Sequence, residues 1–314
     1  MEACDGAIVV NTVLLLILIG AVAFDIIIGE PPARVHPVVW MGKIIHLLEK
    51  HAPQNNRALY GASMTFITIA PFAVTGILLT RTNHIFAIIA SIYLLKSTFS
   101  INMLFGSAKK IEDQLKHGRI ETVRSELRTL VSRDTNNLDE TKATSATIES
   151  VSENYVDGIL TPMFYFVLFG LPGALVYKVV NTLDSMVGYK KPPYQQLGFV
   201  PARVDDFLNY IPARISALII ALASNNPAAT LKCASREHIK TPSPNSGWPI
   251  AATACALGIT LEKPGTYILN KGADIPEPDR ITQAITLIKK ATVVSIVAVI
   301  ILLYCTTSLC RINF

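Results

Sequence analysis

The chain has 314 residues, of which 51% are hydrophobic and only 16% charged, with a formal net charge of +5 and a mean hydropathy of +0.42. A charged fraction this far below the roughly 25% of soluble domains excludes an ordinary soluble globule and points to an integral membrane protein. Its basic residues are dispersed rather than clustered, which excludes a nucleic-acid footprint and suits loops facing anionic lipid.

In chain order, the first apolar run lies near 8–28 and reaches the roughly 20 residues that a membrane crossing needs. It lacks a basic leader and a small-residue cleavage site, which predicts a retained span rather than a signal peptide. A loop follows at 29–42, G-E-P-P-A-R-V-H-P-V-V-W-M-G, with Arg34 and His36 as its functional candidates; a structural histidine is the competing reading. Runs near 59–80 and 85–106 predict two further spans. Residues 107–132 read as one amphipathic helix, with Ile111, Leu115, Ile120, Val123, Leu127, Leu130 and Val131 near the helical period. Arg133 and Asp134 then form either an ion-contacting pair or a helix end. The stretch 160–180 is interrupted by Gly170, Pro172 and Gly173, and 211–224 is too short for a simple span, so both predict broken or re-entrant segments. A last span lies near 291–310.

The expected fold is therefore an all-α integral membrane protein. It has about four full transmembrane helices, two broken or re-entrant segments and cytoplasmic helical loops. It forms one polytopic domain over 1–314, with a cytoplasmic helical loop at 107–159 and a cytoplasmic-facing motif region at 181–290. The positive-inside rule sets the orientation. Arg34, Lys43, Lys50 and Arg57 place 29–58 inside, Arg81 alone marks the outer turn, and eight Lys/Arg place 107–159 inside. A multi-pass cell (cytoplasmic) membrane protein with its polar motifs facing the cytoplasm results. Cys4, Cys233, Cys255, Cys305 and Cys310 contain no C-x-x-C pair and are expected as small packing residues, with neither disulfide nor zinc site.

The polar motifs stand out against this background. Glu149, Glu153 and Asp157 are four residues apart, so a continuous helix stacks them on one face, where their repulsion invites a cation such as Mg²⁺; Asn154 stands beside them. A solvated helix face is the alternative. Lys178, Asn181 and Asp184 share a second face, offering a cation, an amide and a carboxylate; capping and snorkelling are the alternative. Residues 201–214 carry Arg203, Asp205, Asp206, Asn209 and Arg214. The arginines suit bidentate binding of phosphate or carboxylate, and the Asp pair suits a second cation. In the loop P-S-P-N-S-G-W-P at 242–249, Ser243, Asn245 and backbone N–H groups can cradle an anion. Trp248 can stack on a ligand or anchor at the interface. No P-loop, Rossmann fingerprint, H-E-x-x-H or G-x-S-x-G is present.

These motifs, in this order, resemble the adenosylcobinamide-phosphate synthase family of cobalamin biosynthesis (the CbiB/CobD type). The matching pieces are D-I-I-I-G-E-P-P-x-x-x-H-P-V-x-x-M-G from Asp25, S-R-D-T from Ser132 and E-S-V-S-E-N-x-x-D-G from Glu149. They continue with P-G-A-x-x-Y-K-x-x-N-T-L-D-S-M-V-G-Y from Pro172, A-R-x-D-D-x-x-N-x-x-P-A-R from Ala202 and S-P-N-S-G-W-P-x-A-A from Ser243. Two departures are visible: Glu30 stands where the family usually has Asp, and Cys255 where it usually has Gly. The resemblance implies a membrane amide ligase that joins adenosylcobyric acid to (R)-1-amino-2-propanol phosphate or a related amino alcohol. It implies ATP as cosubstrate and Mg²⁺, held by some of Glu149, Glu153, Asp157, Asp184, Asp205 and Asp206. Lys178, Arg203 and Arg214 would neutralise transferred charge, and a carboxylate or His36 would accept the amine proton. The expected partners are the corrinoid, the amino-alcohol phosphate, the lipid bilayer, and further copies of the chain or other corrinoid enzymes. A Mg²⁺-dependent membrane phospho- or prenyl-transferase is the alternative enzyme, and a transport or assembly partner the non-enzymatic one.

Overall fold

A computed structural model describes residues 2–82, 84–128 and 134–312. The chain packs as two compact units: Met1–Ile101 with Thr161–Leu208 and Ile296–Phe314, and Asn102–Leu160 with Asn209–Ser295. Among the described residues four helical stretches are long and apolar enough to cross a membrane: Arg57–Thr80, Ile85–Lys116, Glu140–Val187 and Asp279–Cys305. Phe199–Leu208 and Tyr210–Ala223 form a pair bent by 43° that passes the same test together, as a broken span or re-entrant loop. The architecture is that of an all-α multi-pass membrane protein.

The first unit contains α1 (Glu2–Ile27), α2 (Pro37–Lys50), α3 (Arg57–Thr80) and α4 (Ile85–Lys96). His36 caps α2 by accepting the Val38 N–H, and Pro37 opens the helix where no donor is needed. Small residues let the apolar helices approach closely. A Cβ on Gly61 of α3 would sit 2.0 Å from the Leu197 carbonyl oxygen, so glycine is the residue that fits. Later in the chain this unit holds α8 (Thr161–Val187) and α10 (Phe199–Leu208), with the one-turn α9 (Tyr194–Leu197) between them. The 160–180 stretch, expected as a broken or re-entrant segment, lies within Glu140–Val187 and so meets the length of a full span. Its break falls at Gly170 (φ 65°, ψ −157°), two residues before Pro172. The positive φ needs glycine, and Pro172 brings no N–H to continue the ladder. A cavity of about 390 Å³ adjoins the break, walled by Val13, Ile17, Thr80, Ser91 and Phe169 among others; irregular backbone at membrane depth is tolerated beside such a space.

The second unit begins with α5 (Ile101–Lys116) and α6 (Ile120–Leu127). One helix was expected over 107–132. Gly118 instead adopts φ 69°, and a C-terminal turn closes α5 through Gly118 N–H to Leu115 O and Arg119 N–H to Gln114 O. Leu130, Val131, Ser132 and Arg133 lie outside the described residues. Asp139 caps α7 (Glu140–Tyr155), which runs into a π turn at Val156–Leu160. There follow α11 (Tyr210–Ala223), α12 (Pro227–Glu237), α13 (Gly247–Leu257) and the first part of α14 (Asp279–Ile312). A small antiparallel hairpin, β1 (Leu261–Lys263) with β2 (Tyr267–Leu269), pairs Leu261 with Leu269. Neither this hairpin nor the disulfide between Cys233 and Cys255 was expected. The cysteines are 22 residues apart, but α12 packs against α13 and brings their Cα atoms to 6.0 Å, within bridging range. Cys305 is a free, exposed thiol.

Candidate functional site

In the first unit the loop after α1 is built around a buried lysine. Lys96 is 0% exposed, and its ammonium reaches Asp25 Oδ1 at 2.9 Å, Glu30 Oε1 at 2.9 Å and the Phe99 carbonyl at 3.2 Å. Its three protons are thereby all used. His36 Nε2 donates to Glu30 Oε2 at 3.1 Å, while Nδ1 accepts the Val38 N–H at 3.2 Å. The two contacts assign the Nε2–H tautomer and engage both ring nitrogens. His36 thus holds the loop and the start of α2, with no nitrogen left over to accept a proton. Burial acts to raise the Glu30 pKa, but hydrogen bonds from His36, Lys96 and Ser100 and the Lys96 charge outweigh it and pull the value down to about 2. Arg34 is exposed.

The same unit gathers several predicted residues at the C-terminal end of α8, against which α10 packs. Asp184 lies within electrostatic reach of Asp206 and Lys190. Gly188 makes room for it, since a Cβ there would sit 2.0 Å from Asp184 Oδ1. Arg203 stands 3.9 Å from Asp206 and 5.6 Å from the Phe199 ring centroid. Asn181 and Asp205 are buried, each 9% exposed, and Lys178 is half-buried on α8. Asp205 lies within electrostatic reach of Tyr165.

In the second unit the Glu149–Glu153–Asp157 stripe departs from its predicted form. Glu149 is buried, Glu153 exposed and Asp157 half-buried. The π turn that starts at Val156 changes the helical phase just before Asp157. Glu149 Oε1 accepts from Ser145 Oγ at 3.2 Å and Oε2 from Tyr267 OH at 2.9 Å; Ser145 is itself anchored by the Glu262 N–H at 2.8 Å. Asn154 folds back on the Ser150 carbonyl at 2.9 Å. Among the described residues no group of three or more His, Cys, Asp or Glu side chains is placed to hold a metal ion. The carboxylates suit Mg²⁺ in kind, because that ion is content with one or two protein carboxylates when water and phosphate complete its shell. Asp184 and Asp206, within electrostatic reach of each other, have the ligand chemistry for such an ion.

The second unit also builds a cation into an aromatic stack. The Arg214 guanidinium lies 3.5 Å from the Tyr210 ring centroid and 5.5 Å from that of Trp248. Trp248 in turn stacks on His238 at 3.7 Å and 22°. Arg214 Nη1 donates to the Tyr210 carbonyl at 2.6 Å and to Asn245 Oδ1 at 3.4 Å. Both bonds run through Nη1; the opposite Nε and Nη2 edge has the fork geometry that can pair with an anion. Ser243 Oγ accepts the N–H groups of Asn245 and Ser246, each at 3.2 Å, and so shapes the loop beside that edge. Asn209, 3% exposed, precedes α11 and accepts the Ala213 N–H on its carbonyl. Sequence reasoning did not single out Lys96, Ser145, Tyr267 or His238. Only Lys96 carries a signal, being a charge inside an apolar run.

Comparison with known proteins agrees with these motifs. A family model described as CobD/Cbib protein matches residues 18–300. A probable cobalamin biosynthesis protein CobD of Methanothrix thermoacetophila is 42% identical over 299 residues, covering 89% of this chain and 93% of its own. The corresponding protein of Methanothermobacter thermautotrophicus is 42% identical over 275 residues, covering 86% and 92%. A cobalamin biosynthesis protein CobD of Dehalococcoides mccartyi is 42% identical over 289 residues, covering 88% and 94%. No solved structure matches.

Proposed function

Since the chain belongs to the CobD/CbiB family of cobalamin biosynthesis proteins, we propose that it is the membrane ligase of that family resemblance. It would join the amine of (R)-1-amino-2-propanol phosphate, or of aminopropanol, to a carboxylate of adenosylcobyric acid at the expense of ATP, giving adenosylcobinamide (phosphate). The observation that favours this reading is the Arg214 guanidinium, stacked on Tyr210 and bonded to Asn245 through Nη1, a group suited to binding a phosphate. A phosphate-bearing substrate, whether ATP or the amino-alcohol phosphate, would give that group a partner.

The chemistry sets what the residues must do. A carboxylate is a poor acyl donor, so one of its oxygens attacks the γ-phosphorus of ATP and ADP leaves. The amine then attacks the acyl carbon, phosphate departs and the nitrogen loses one proton. Mg²⁺, when bound with the nucleotide, neutralises phosphate charge; Asp184 and Asp206 are the residues that would hold it. Arg214 binds and orients a phosphate, and its rigid stack means that little freedom is lost on binding. On the first unit, Arg203 and Lys178 supply positive charge of their own for phosphate bound with Asp184 and Asp206. A carboxylate receives the amine proton, since His36 has both nitrogens engaged. The Glu30–His36–Lys96 network keeps the 29–36 loop fixed.

The test is direct. Purified protein in lipid nanodiscs is given adenosylcobyric acid, aminopropanol phosphate, Mg²⁺ and ATP, and the corrinoid is followed by mass spectrometry. An ATP-dependent gain of the amide, with one ADP per product, supports the ligase. Prenyl or phosphoalcohol transfer in its place overturns it.

A further inference from the structure

The Cys233–Cys255 bridge joins α12 to α13 and closes a ring around the loop that shapes the Arg214 site. Within the ring stand His238, Thr241, Ser243, Asn245 and Trp248. Thr241 Oγ1 lies 3.0 Å from the His238 carbonyl and 3.2 Å from that of Ser243. At the far end of the loop, a Cβ on Gly247 would sit 2.3 Å from the same His238 carbonyl. The two ends of the loop are therefore pressed together, and the disulfide locks the helices that carry them. The stack of His238 on Trp248, and the approach of Trp248 to Arg214, are both built on residues of this closed loop. Both cysteines are partly exposed residues. Cys255 is moreover one of the two positions where this chain departs from the family pattern it resembles.

We propose that Cys233–Cys255 is a thiol–disulfide exchange site, and that its redox state sets the grip of the Arg214 loop on phosphate. A thiolate of a small dithiol or redoxin-class protein attacks one sulfur and forms a mixed disulfide, and the other cysteine leaves as thiolate. The second thiol of the partner resolves the intermediate. The net change is reduction of the protein disulfide to two thiols and oxidation of the dithiol to its disulfide, with two electrons and two protons transferred. In the oxidised form the loop is pre-organised and phosphate binds tightly. In the reduced form α12 and α13 are held by packing alone, and the stack that orients Arg214 loosens.

The proposal rests on the anion-binding reading of Arg214, so the experiment separates the two. Membranes are quenched with an alkylating reagent under native conditions, and the protein is analysed by intact mass and peptide mapping. The expected result is that Cys233 and Cys255 resist alkylation until a dithiol is added; full alkylation beforehand overturns the proposal. Next, inorganic phosphate binding is followed by Trp248 fluorescence in a Trp40→Phe background, with and without dithiol. Reduction is expected to weaken binding 3- to 10-fold, and Cys255→Gly to bind like the reduced form whether or not dithiol is present. Equal affinity in both redox states overturns the switch. Phosphate binding that survives Arg214→Ala in either state defeats the anion-site reading instead. Ligase turnover is not needed for any of these readouts.

Discussion

Replacing Lys96 with methionine tests the buried charge network in the sharpest way. The side chain is 0% exposed and bonds Asp25, also 0% exposed, and Glu30 at 2.9 Å each. Methionine keeps the bulk but leaves the Asp25 charge buried without its cation, a change that costs about 3–5 kcal/mol. Thermal unfolding in detergent should show a fall in Tm on the order of 10 °C, taking roughly 2–4 °C per kcal/mol. The pH dependence gives an independent check. The folded Glu30 pKa is about 2, against 4.5 for the free group. A depressed pKa means that this stabilisation is fully present above pH 4.5 and is lost as pH falls from there through about 2. The shift corresponds to about 3 kcal/mol at roughly 1.4 kcal/mol per unit. Wild type should therefore lose stability across that window, and Lys96→Met should lose much less. Adding Asp25→Asn to Lys96→Met should recover part of the loss. A Lys96→Met protein within 1 kcal/mol of wild type, with an unchanged acid profile, would refute the reasoning.

Gly61→Ala drives a methyl into the Leu197 carbonyl, 2.0 Å away, and should destabilise by about 1–3 kcal/mol or more. Gly106→Ala, with nothing within 4 Å, should be neutral or gain up to about 1 kcal/mol; the same melting assay compares the two. Tyr267→Phe removes a donor from the buried Glu149 carboxylate and should cost about 1–3 kcal/mol in chemical denaturation, with the hairpin released first in hydrogen exchange. Arg214→Lys keeps the charge but loses the planar fork, so the KM for aminopropanol phosphate in the ligase assay should rise about tenfold. Reducing the Cys233–Cys255 bridge, whose cysteines are separated by 22 positions, should lower the stability of the second unit by about 3 kcal/mol, read as a shift of its denaturation midpoint.

Much of the fold was legible because a membrane crossing is a demand on length and polarity alone. Arg57–Thr80 and the apolar core of α14 emerge directly from uninterrupted runs. The break at Gly170 was also legible, since Gly170, Pro172 and Gly173 interrupt a helix by known rules. What length could not decide was whether the broken segment joins a longer helix. The carboxylate stripe shows the limit of periodicity: its four-residue spacing assumes a regular α-helix, and the π turn at Val156 removes that regularity before Asp157. Burial of Glu149 arises from Tyr267, 118 residues away, on a hairpin too short to announce itself. The cysteine pair was hidden for a related reason, because only the packing of α12 on α13 brings the sulfurs together. His36 carried a readable sign. A polar residue directly before a proline and an apolar run is a helix cap, and that use takes up one of its two nitrogens.

The Lys96 network also bears on how the protein is made. Asp25 ends the first helix, and the lysine that neutralises it emerges from the ribosome about seventy residues later, in the fourth. Until then an acidic side chain must wait at the edge of the bilayer, and Lys96 would itself be an unwelcome passenger in lipid without it. α1 and α4 are thus expected to stabilise each other once both are made. A nascent chain stopped before residue 96 should remain bound to the insertion machinery, and one stopped beyond it should be released.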